Sequence, residues 1–173
     1  MMFAAVHRNE EWSYCMAQQQ KNAIETAAVL LGRHACTVAE LRRKLRHKEC
    51  FTGEEIESAI ARLQEMGYLS DRRYAEDYVA ILRGKGYGDR RIYEKLKLKG
   101  ISPALAGEIL DADAGNRDPF EDAMLLLERR ARRIDRVEDP RKRDHRILCM
   151  LAGRGFTPDV ACRVLKAWAE REK

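Results

Sequence analysis

Apolar side chains recur along this chain with the period of an α-helix, and the alternating pattern of a β-strand is nearly absent. Spacings of three and four residues are typical of amphipathic helices that bury one face. We therefore predict an all-α fold of short helices. The predicted helices span 21–34, 38–49, 53–66, 71–84, 89–99, 103–113, 119–134, 141–153 and 158–171.

The predicted helix starts coincide with residues that cap helices. Each of the four prolines follows a residue whose side-chain oxygen can accept a hydrogen bond from an early helical N–H, and proline fits the first helical position. These pairs are Ser102-Pro103, Asp118-Pro119, Asp139-Pro140 and Thr157-Pro158. Thr37 and Thr52 are each followed three residues later by glutamate, as in a capping box. Glycines mark the predicted ends, at positions 67, 86, 100, 115 and 155.

One pattern occurs three times along the chain. Two apolar residues four apart are followed by Lys or Arg, a turn, and a second apolar pair. In the three copies, the second residue of the first apolar pair is Leu45, Leu96 and Leu151 in turn. Successive copies are therefore 51 and 55 residues apart. Units of about 45–55 residues are too small to be stable alone, and neighbours must stack. We predict an elongated, curved array of three-helix repeats over 21–69, 70–115 and 116–173, after a mobile tail or loosely attached helix over 1–20.

Charge is unevenly distributed along the chain. The 33 Lys and Arg against 28 Asp and Glu give a net charge of +5, which favours an acidic partner. Residues 83–99 (seven basic, two acidic) and 129–146 (nine basic, four acidic) each carry +5, and 42–48 adds five basic residues without an acid. One interpretation is a basic stripe that meets phosphates or an acidic protein surface. The other is an ordinary solvated helix surface, and both remain open.

Basic residues at equivalent repeat positions are the candidate contacts. Lys48, Lys99 and Arg154 share one position, and Arg91 and Arg146 share another. A cation before a helix end favours the helix dipole, so capping alone can account for Lys99 and Arg154. Arg91 and Arg146 fall in predicted first turns, where a cation is unfavourable and a partner is the better explanation. The predicted partner-binding residues are Arg91, Arg146, Lys48, Lys99, Arg154, Arg43, Lys95 and Arg143.

The residues do not indicate a catalytic centre, a cofactor or a metal site. The segment Gly84 to Gly88 lacks the third glycine and the Gly-Lys-Ser/Thr ending of phosphate-binding loops. His47 and Cys50 have metal-ligand spacing without further ligands in register. The five cysteines include no CxxC motif and indicate reduced thiols, and Cys149 and Cys162 are expected to fill the core. We predict a protein that is not an enzyme.

The chain also lacks the sequence features of a membrane or secreted protein. The longest apolar runs, over residues 27–31 and 123–127, are too short to span a bilayer. The N-terminus lacks the apolar core of a signal peptide. We therefore expect a cytoplasmic protein without a membrane partner.

Three segments resemble signatures of the RecX family of regulatory proteins. The first joins units one and two, and Ser70 stands there where the family often has an acidic residue. A serine can cap the following helix, so little consequence is expected. The resemblance covers roughly residues 21–171 and rests on Gly67-Tyr68-Leu69-Ser70-Asp71-Arg72-Arg73-Tyr74-Ala75, on Gly86-Tyr87-Gly88-Asp89-Arg90-Arg91-Ile92 with Leu96 and Lys99-Gly100-Ile101, and on Arg154-Gly155-Phe156-Thr157 with Val160 and Val164.

The resemblance implies a bacterial protein that binds the RecA filament on single-stranded DNA and restrains its ATPase, strand-exchange and coprotease activities in recombinational repair and the SOS response. We expect a monomer with weak non-specific binding to single- or double-stranded DNA. The alternative is a helix-turn-helix-like protein acting directly on duplex DNA. Base reading relies on Arg, Asn and Gln, and beyond the first 20 residues the only such amides are Asn22, Gln64 and Asn116. This scarcity argues against sequence-specific recognition.

Overall fold

The computed structural model describes residues 22–115 and 117–171, and in those residues it contains helices and turns but no strand. The helices are α1 (Ala23–Arg33), α2 (Val38–Arg46), α3 (Gly53–Glu65), α4 (Asp71–Gly84), α5 (Asp89–Leu98), α6 (Pro103–Ala114), α7 (Pro119–Glu128), α8 (Ala131–Ile134), α9 (Pro140–Arg154) and α10 (Pro158–Arg171). The predicted all-α class is confirmed. The tail predicted over 1–20 lies outside the described residues. No helix in the described ranges has the length and apolar character needed to cross a membrane.

The predicted caps form. All four prolines are the first residues of their helices. The side chain before each proline accepts a hydrogen bond from a backbone N–H two or three residues later, at Ser102, Asp118, Asp139 and Thr157. At α3 the capping box is complete, because Glu55 N donates to Thr52 Oγ1 at 3.3 Å and Thr52 N donates to Glu55 Oε2 at 2.7 Å. Local sequence therefore sets where these helices begin.

Each of the five predicted glycines lies within two residues of the end of a helix. Glycines 67, 86, 100 and 155 have positive φ, whereas Gly115 has φ −63°. In the first repeat Glu49 takes the place that Gly100 and Gly155 occupy in the others, and it adopts φ 56°. This left-handed conformation is unfavourable for a residue with a side chain, whereas glycine adopts it readily.

The first compact unit ends at Asp71, and α1, α2 and α3 pack against one another in it. Its core is a cluster of buried side chains: Ala27, Cys36, Leu41, Leu45, Ile56, Ile60, Leu63 and Leu69. A two-pronged ion pair joins α2 to α3, with Arg42 Nε 2.6 Å from Glu57 Oε1 and Nη2 2.7 Å from Oε2. Asp71 Oδ1 accepts a hydrogen bond from Val38 N at 2.8 Å and so satisfies a free N–H at the start of α2.

The second compact unit begins at Arg72 and contains two core clusters. One cluster surrounds Ile92 and Leu96, and the other surrounds Ile147 and Leu151. These two pairs, and the corresponding pair Leu41 and Leu45 of the first unit, are at most 1% exposed. The residues that repeat in the sequence are therefore among the most deeply buried.

Two expectations about the last third of the chain are wrong. The single helix predicted over 119–134 is interrupted after Glu128, where Arg130 N bonds to Leu127 O rather than to the carbonyl four residues back. The apolar period continues across this break through Leu127, Ala131 and Ile134, so the spacing of apolar residues does not reveal it. Cys149 and Cys162 are exposed and do not fill the core.

Candidate partner-binding surface

Two backbone segments cross closely in the second unit. Gly88 N, just before α5, donates a hydrogen bond to Arg154 O at the end of α9, at 2.8 Å. A Cβ on Gly88 would lie 2.7 Å from Gly155 O, and a Cβ on Gly155 would lie 2.6 Å from Arg91 Cβ. Gly155 also has φ +87°. Only glycine at both positions permits this approach, which we call the Gly88–Gly155 crossing, and it fixes the first turn of α5 against the end of α9.

The crossing brings together two predicted contact residues from different repeats. Arg154 Cζ lies 4.7 Å and Lys95 Nζ lies 4.9 Å from the centroid of the Tyr87 ring. Arg154 Nη1 also donates to Lys85 O at 2.8 Å. Each cation–π contact contributes roughly 0.5–1 kcal/mol at an exposed site. Arg154 thus stabilises the unit itself, in addition to any contact with a partner.

Arg91, Lys95 and Lys99 follow one another at intervals of four along α5, so they share one side of the helix. Arg91 is the third residue of α5 and is exposed, and its Nη1 lies 2.7 Å from Glu94 Oε2. Lys99 is the C-terminal cap, and its Nζ lies 5.9 Å from the centroid of Tyr78. An exposed pair three residues apart is worth only about 0.2–0.5 kcal/mol, so a partner can displace Glu94 from Arg91 at small cost.

Leu98 accompanies this row and was missed by the sequence analysis. It is 82% exposed, whereas Ile92 and Leu96 on the same helix are fully buried. The signal was present in the sequence. Leu98 lies two residues, or about 200°, beyond Leu96, and so leaves the apolar face that the four-residue spacing defines.

The predicted contacts on α9 are Arg143, which is half-buried, and Arg146, which is exposed. Arg146 does not lie in a first turn, contrary to the prediction. Asp139 caps the helix that begins at Pro140, so Arg146 is its seventh residue, and it is already the sixth when counted from the predicted start at 141. The free N–H groups that disfavour a cation belong to the first four helical residues, and the reasoning therefore applies to Arg91 but not to Arg146.

The remaining predicted contacts lie in the first unit. Arg43 is exposed on α2, and Lys48 is exposed in the turn that follows it. Lys48 N donates to Leu45 O at 3.1 Å, so the backbone of the turn is held while the ammonium group faces solvent.

One arginine of the basic segment 83–99 is not part of any surface stripe. The Arg83 side chain is only 8% exposed; its Nε donates to Asp113 Oδ2 at 2.9 Å and its Nη2 donates to Asp89 Oδ1. These bonds tie α4 to the end of α6 and the start of α5. The net charge of +5 counted over residues 83–99 includes Arg83 but not its partner Asp113. The exposed basic surface is therefore smaller than that count suggests.

These observations define an all-α protein with repeated three-helix cores and a row of cations on α5. In residues 22–115 and 117–171 there is also no group of three or more His, Cys, Asp or Glu placed to hold a metal ion. The sequence matches the profile of the first three-helix domain of RecX over residues 23–63 and of the second over residues 70–110. The chain belongs to the RecX family, as the sequence signatures predicted.

Named relatives and solved structures agree. The Regulatory protein RecX of Trichlorobacter lovleyi is 34% identical over 145 residues, which is 83% of this chain and 94% of that protein. The Regulatory protein RecX of Pseudomonas putida KT2440 is 36% identical over 140 residues, 81% of this chain and 86% of that one. The crystal structure of RecX from Lactobacillus salivarius superimposes with a TM-score of 0.74 at 24% identity, covering 87% of this chain and 97% of that chain. At that identity the structural match concerns the fold.

Proposed function

We propose that this chain is a cytoplasmic regulator that binds the RecA filament on single-stranded DNA and restrains its ATPase, strand-exchange and coprotease activities. The proposal rests on family membership together with one observation. The cations Arg91, Lys95 and Lys99 follow one side of α5, with Arg91 exposed and the two lysines half-buried, inside the segment that matches the second RecX domain. It acts by binding and not by catalysis.

The chemistry of α5 suits a nucleoprotein filament. A filament presents acidic side chains and phosphates along its length, so a row of cations speeds encounter and gives binding that weakens with salt. Leu98, 82% exposed beside this row, adds an apolar anchor of the kind that carries binding energy when a partner excludes water. The Gly88–Gly155 crossing holds α5 in place, which lowers the ordering cost of binding.

We further propose that the three repeats, over 21–69, 70–115 and 116–173, each present cations to the filament. Lys48, Arg43 and Arg143 would then contact it together with the α5 row. Arg146 is retained as a contact because it is exposed, without the helix-dipole argument. Arg154 is retained as a contact, and it also packs against the Tyr87 ring together with Lys95.

A charge-reversal experiment tests the contact face. We expect the double variant Arg91→Glu, Arg146→Glu to bind RecA–single-stranded DNA filaments at least tenfold more weakly in co-sedimentation, a loss of about 1.4 kcal/mol or more. The matched control is Arg62→Glu, because Arg62 is 61% exposed and pairs with Glu65 three residues on, as Arg91 pairs with Glu94. Far-UV circular dichroism checks that both variants fold.

Equal binding by the double variant and the control would refute this contact face. Tight binding to duplex DNA without RecA, combined with no filament binding, would instead favour the helix-turn-helix-like alternative.

A further inference from the structure

Five arginines line one groove in the second unit, between the end of α7 and the residues after α8. The groove has a volume of about 380 Å³ and is lined by Arg129, Arg130, Arg132, Arg133 and Arg136. We call it the arginine groove. None of these residues belongs to the contact face proposed above, and no carboxylate lines the groove.

The interruption between α7 and α8 creates the groove. Arg129 is the C-terminal cap of α7 and Arg130 precedes the first residue of α8, so the chain turns within the arginine run. Ile134 anchors α8 in the core at 3% exposure. Arg129 Nη1 donates to Gly84 O at 3.3 Å and fixes one edge. The groove therefore has a defined backbone frame, while Arg132, Arg133 and Arg136 stay exposed.

The positive charge of the groove is not neutralised within the described part of the chain. Arg42, Arg72 and Arg117 each bind a carboxylate at 2.7 Å or less. No such ion pair joins any arginine of the groove to a carboxylate in residues 22–115 or 117–171. Five like charges held this close repel one another, and a ligand with several negative charges would relieve the repulsion.

The side-chain types point to phosphate. All five lining cations are arginine, whose planar guanidinium binds phosphate oxygens in pairs and is more weakly hydrated than an ammonium group. The lining contains no aromatic side chain to stack on a base and no amide to read one. A phosphodiester chain carries one negative charge per nucleotide without covalently attached cations between them, whereas an acidic protein surface also contains lysine and arginine side chains.

We propose that the arginine groove binds the phosphodiester backbone of a nucleic acid without regard to sequence. This site is separate from the filament-binding face on α5, and it is tested on the isolated chain without RecA. Failure of either proposal can therefore be recognised independently of the other.

The test measures the salt dependence of oligonucleotide binding. A fluorescently labelled thymidine oligonucleotide of about 30 nucleotides, longer than a typical single-strand site, and a duplex of equal length are titrated with the full chain, and anisotropy is followed. The test variant replaces Arg132, Arg133 and Arg136 by glutamine; Arg129 is kept because it bonds to Gly84 O. The control variant replaces Arg33, Lys97 and Lys166, exposed cations on three other helices, by glutamine.

Each phosphate contact on a single strand adds about 0.7 to the slope of log affinity against log salt. The test variant should therefore lose about 2 from this slope. Between roughly 50 and 200 mM salt, the unaltered chain should lose on the order of twentyfold more affinity than the test variant. The control should keep a slope close to that of the unaltered chain.

A slope change on either nucleic acid supports the phosphodiester assignment, and the form with the larger change is the better ligand. Equal slopes for the test and control variants would overturn it. Competition by poly-glutamate as effective as that by an oligonucleotide of equal charge would also overturn it, because the groove would then bind acidic protein.

Discussion

Replacing Gly88 with alanine adds one methyl group at the Gly88–Gly155 crossing, and we predict that this change lowers the free energy of unfolding substantially. The backbone at Gly88 has φ −83° and ψ 169°, which alanine adopts without strain. The new Cβ, however, would lie 2.7 Å from Gly155 O, 2.8 Å from Gly155 C and 2.9 Å from Phe156 N. All three are backbone atoms, so no side-chain rotation can relieve the overlap.

The magnitude follows from the terms that the overlap affects. Overpacking a well-packed site costs typically about 1–3 kcal/mol. Moving the segments apart also weakens the hydrogen bond from Gly88 N to Arg154 O, worth about 0.5–1.5 kcal/mol. Together these give a loss of about 1.5–4.5 kcal/mol.

The assay is urea unfolding followed by far-UV circular dichroism, with hydrogen exchange of the α5 amides as a local readout. The matched control is Gly153→Ala, because a Cβ on Gly153 would meet nothing within 4 Å and the residue lies inside α9. Alanine there should raise stability by roughly 0.5–1 kcal/mol. If Gly88→Ala is as stable as the unaltered chain and its α5 amides exchange no faster, the crossing is not as close as described.

Three further predictions concern single side chains. Glu49→Gly should raise the melting temperature. Removing a side chain from φ 56° stabilises the fold by about 1–2 kcal/mol, whereas the greater backbone freedom of glycine in the unfolded chain destabilises it by only about 0.5–1 kcal/mol. A lower melting temperature would contradict the left-handed turn. Arg83→Met should lower the free energy of unfolding by about 2 kcal/mol. This is less than the loss of a fully buried ion pair, because the Asp89 and Asp113 carboxylates keep some contact with water. An unchanged free energy in urea unfolding would show that Arg83 does not tie α4 to α6. The hydrogen bond from Arg42 holds the pKa of Glu57 below its usual value. The ion pair therefore stabilises the fold fully when the pH is above the pKa of Glu57 in the unfolded chain, and this stabilisation disappears as the pH falls through the lower pKa of Glu57 in the folded chain. The stability difference between the unaltered chain and Glu57→Gln should therefore be constant at neutral pH and shrink below about pH 4; a difference independent of pH would argue against the ion pair.

The parts of the fold that depend on neighbouring residues could be predicted from the sequence. The four proline starts and the Thr52 capping box form because each cap needs only residues two or three positions away. The burial of the repeated apolar pairs followed from helical spacing alone. The break after Glu128 could not be found this way, because Ala131 and Ile134 continue the apolar period across it.

The candidate site depends on contacts between residues far apart in the chain, and these escaped the sequence analysis. In the sequence, Gly88 stands out only as part of a rejected phosphate-binding loop, and only the fold reveals that its N lies 2.8 Å from Arg154 O. Arg83 was counted as surface charge because Asp113 lies outside its segment. The exposure of Leu98, by contrast, could have been predicted, because its spacing from Leu96 in the sequence already places it off the apolar face of α5.

The central claim is that this chain restrains RecA on single-stranded DNA, and ATP hydrolysis by RecA tests it most directly. Hydrolysis is followed while the purified chain is added to RecA filaments, beside the variant Arg91→Glu, Arg146→Glu. We predict inhibition at well below one molecule per RecA subunit, and loss of most of that inhibition in the variant. Undiminished hydrolysis at that stoichiometry, together with tight binding to duplex DNA alone, would contradict the account.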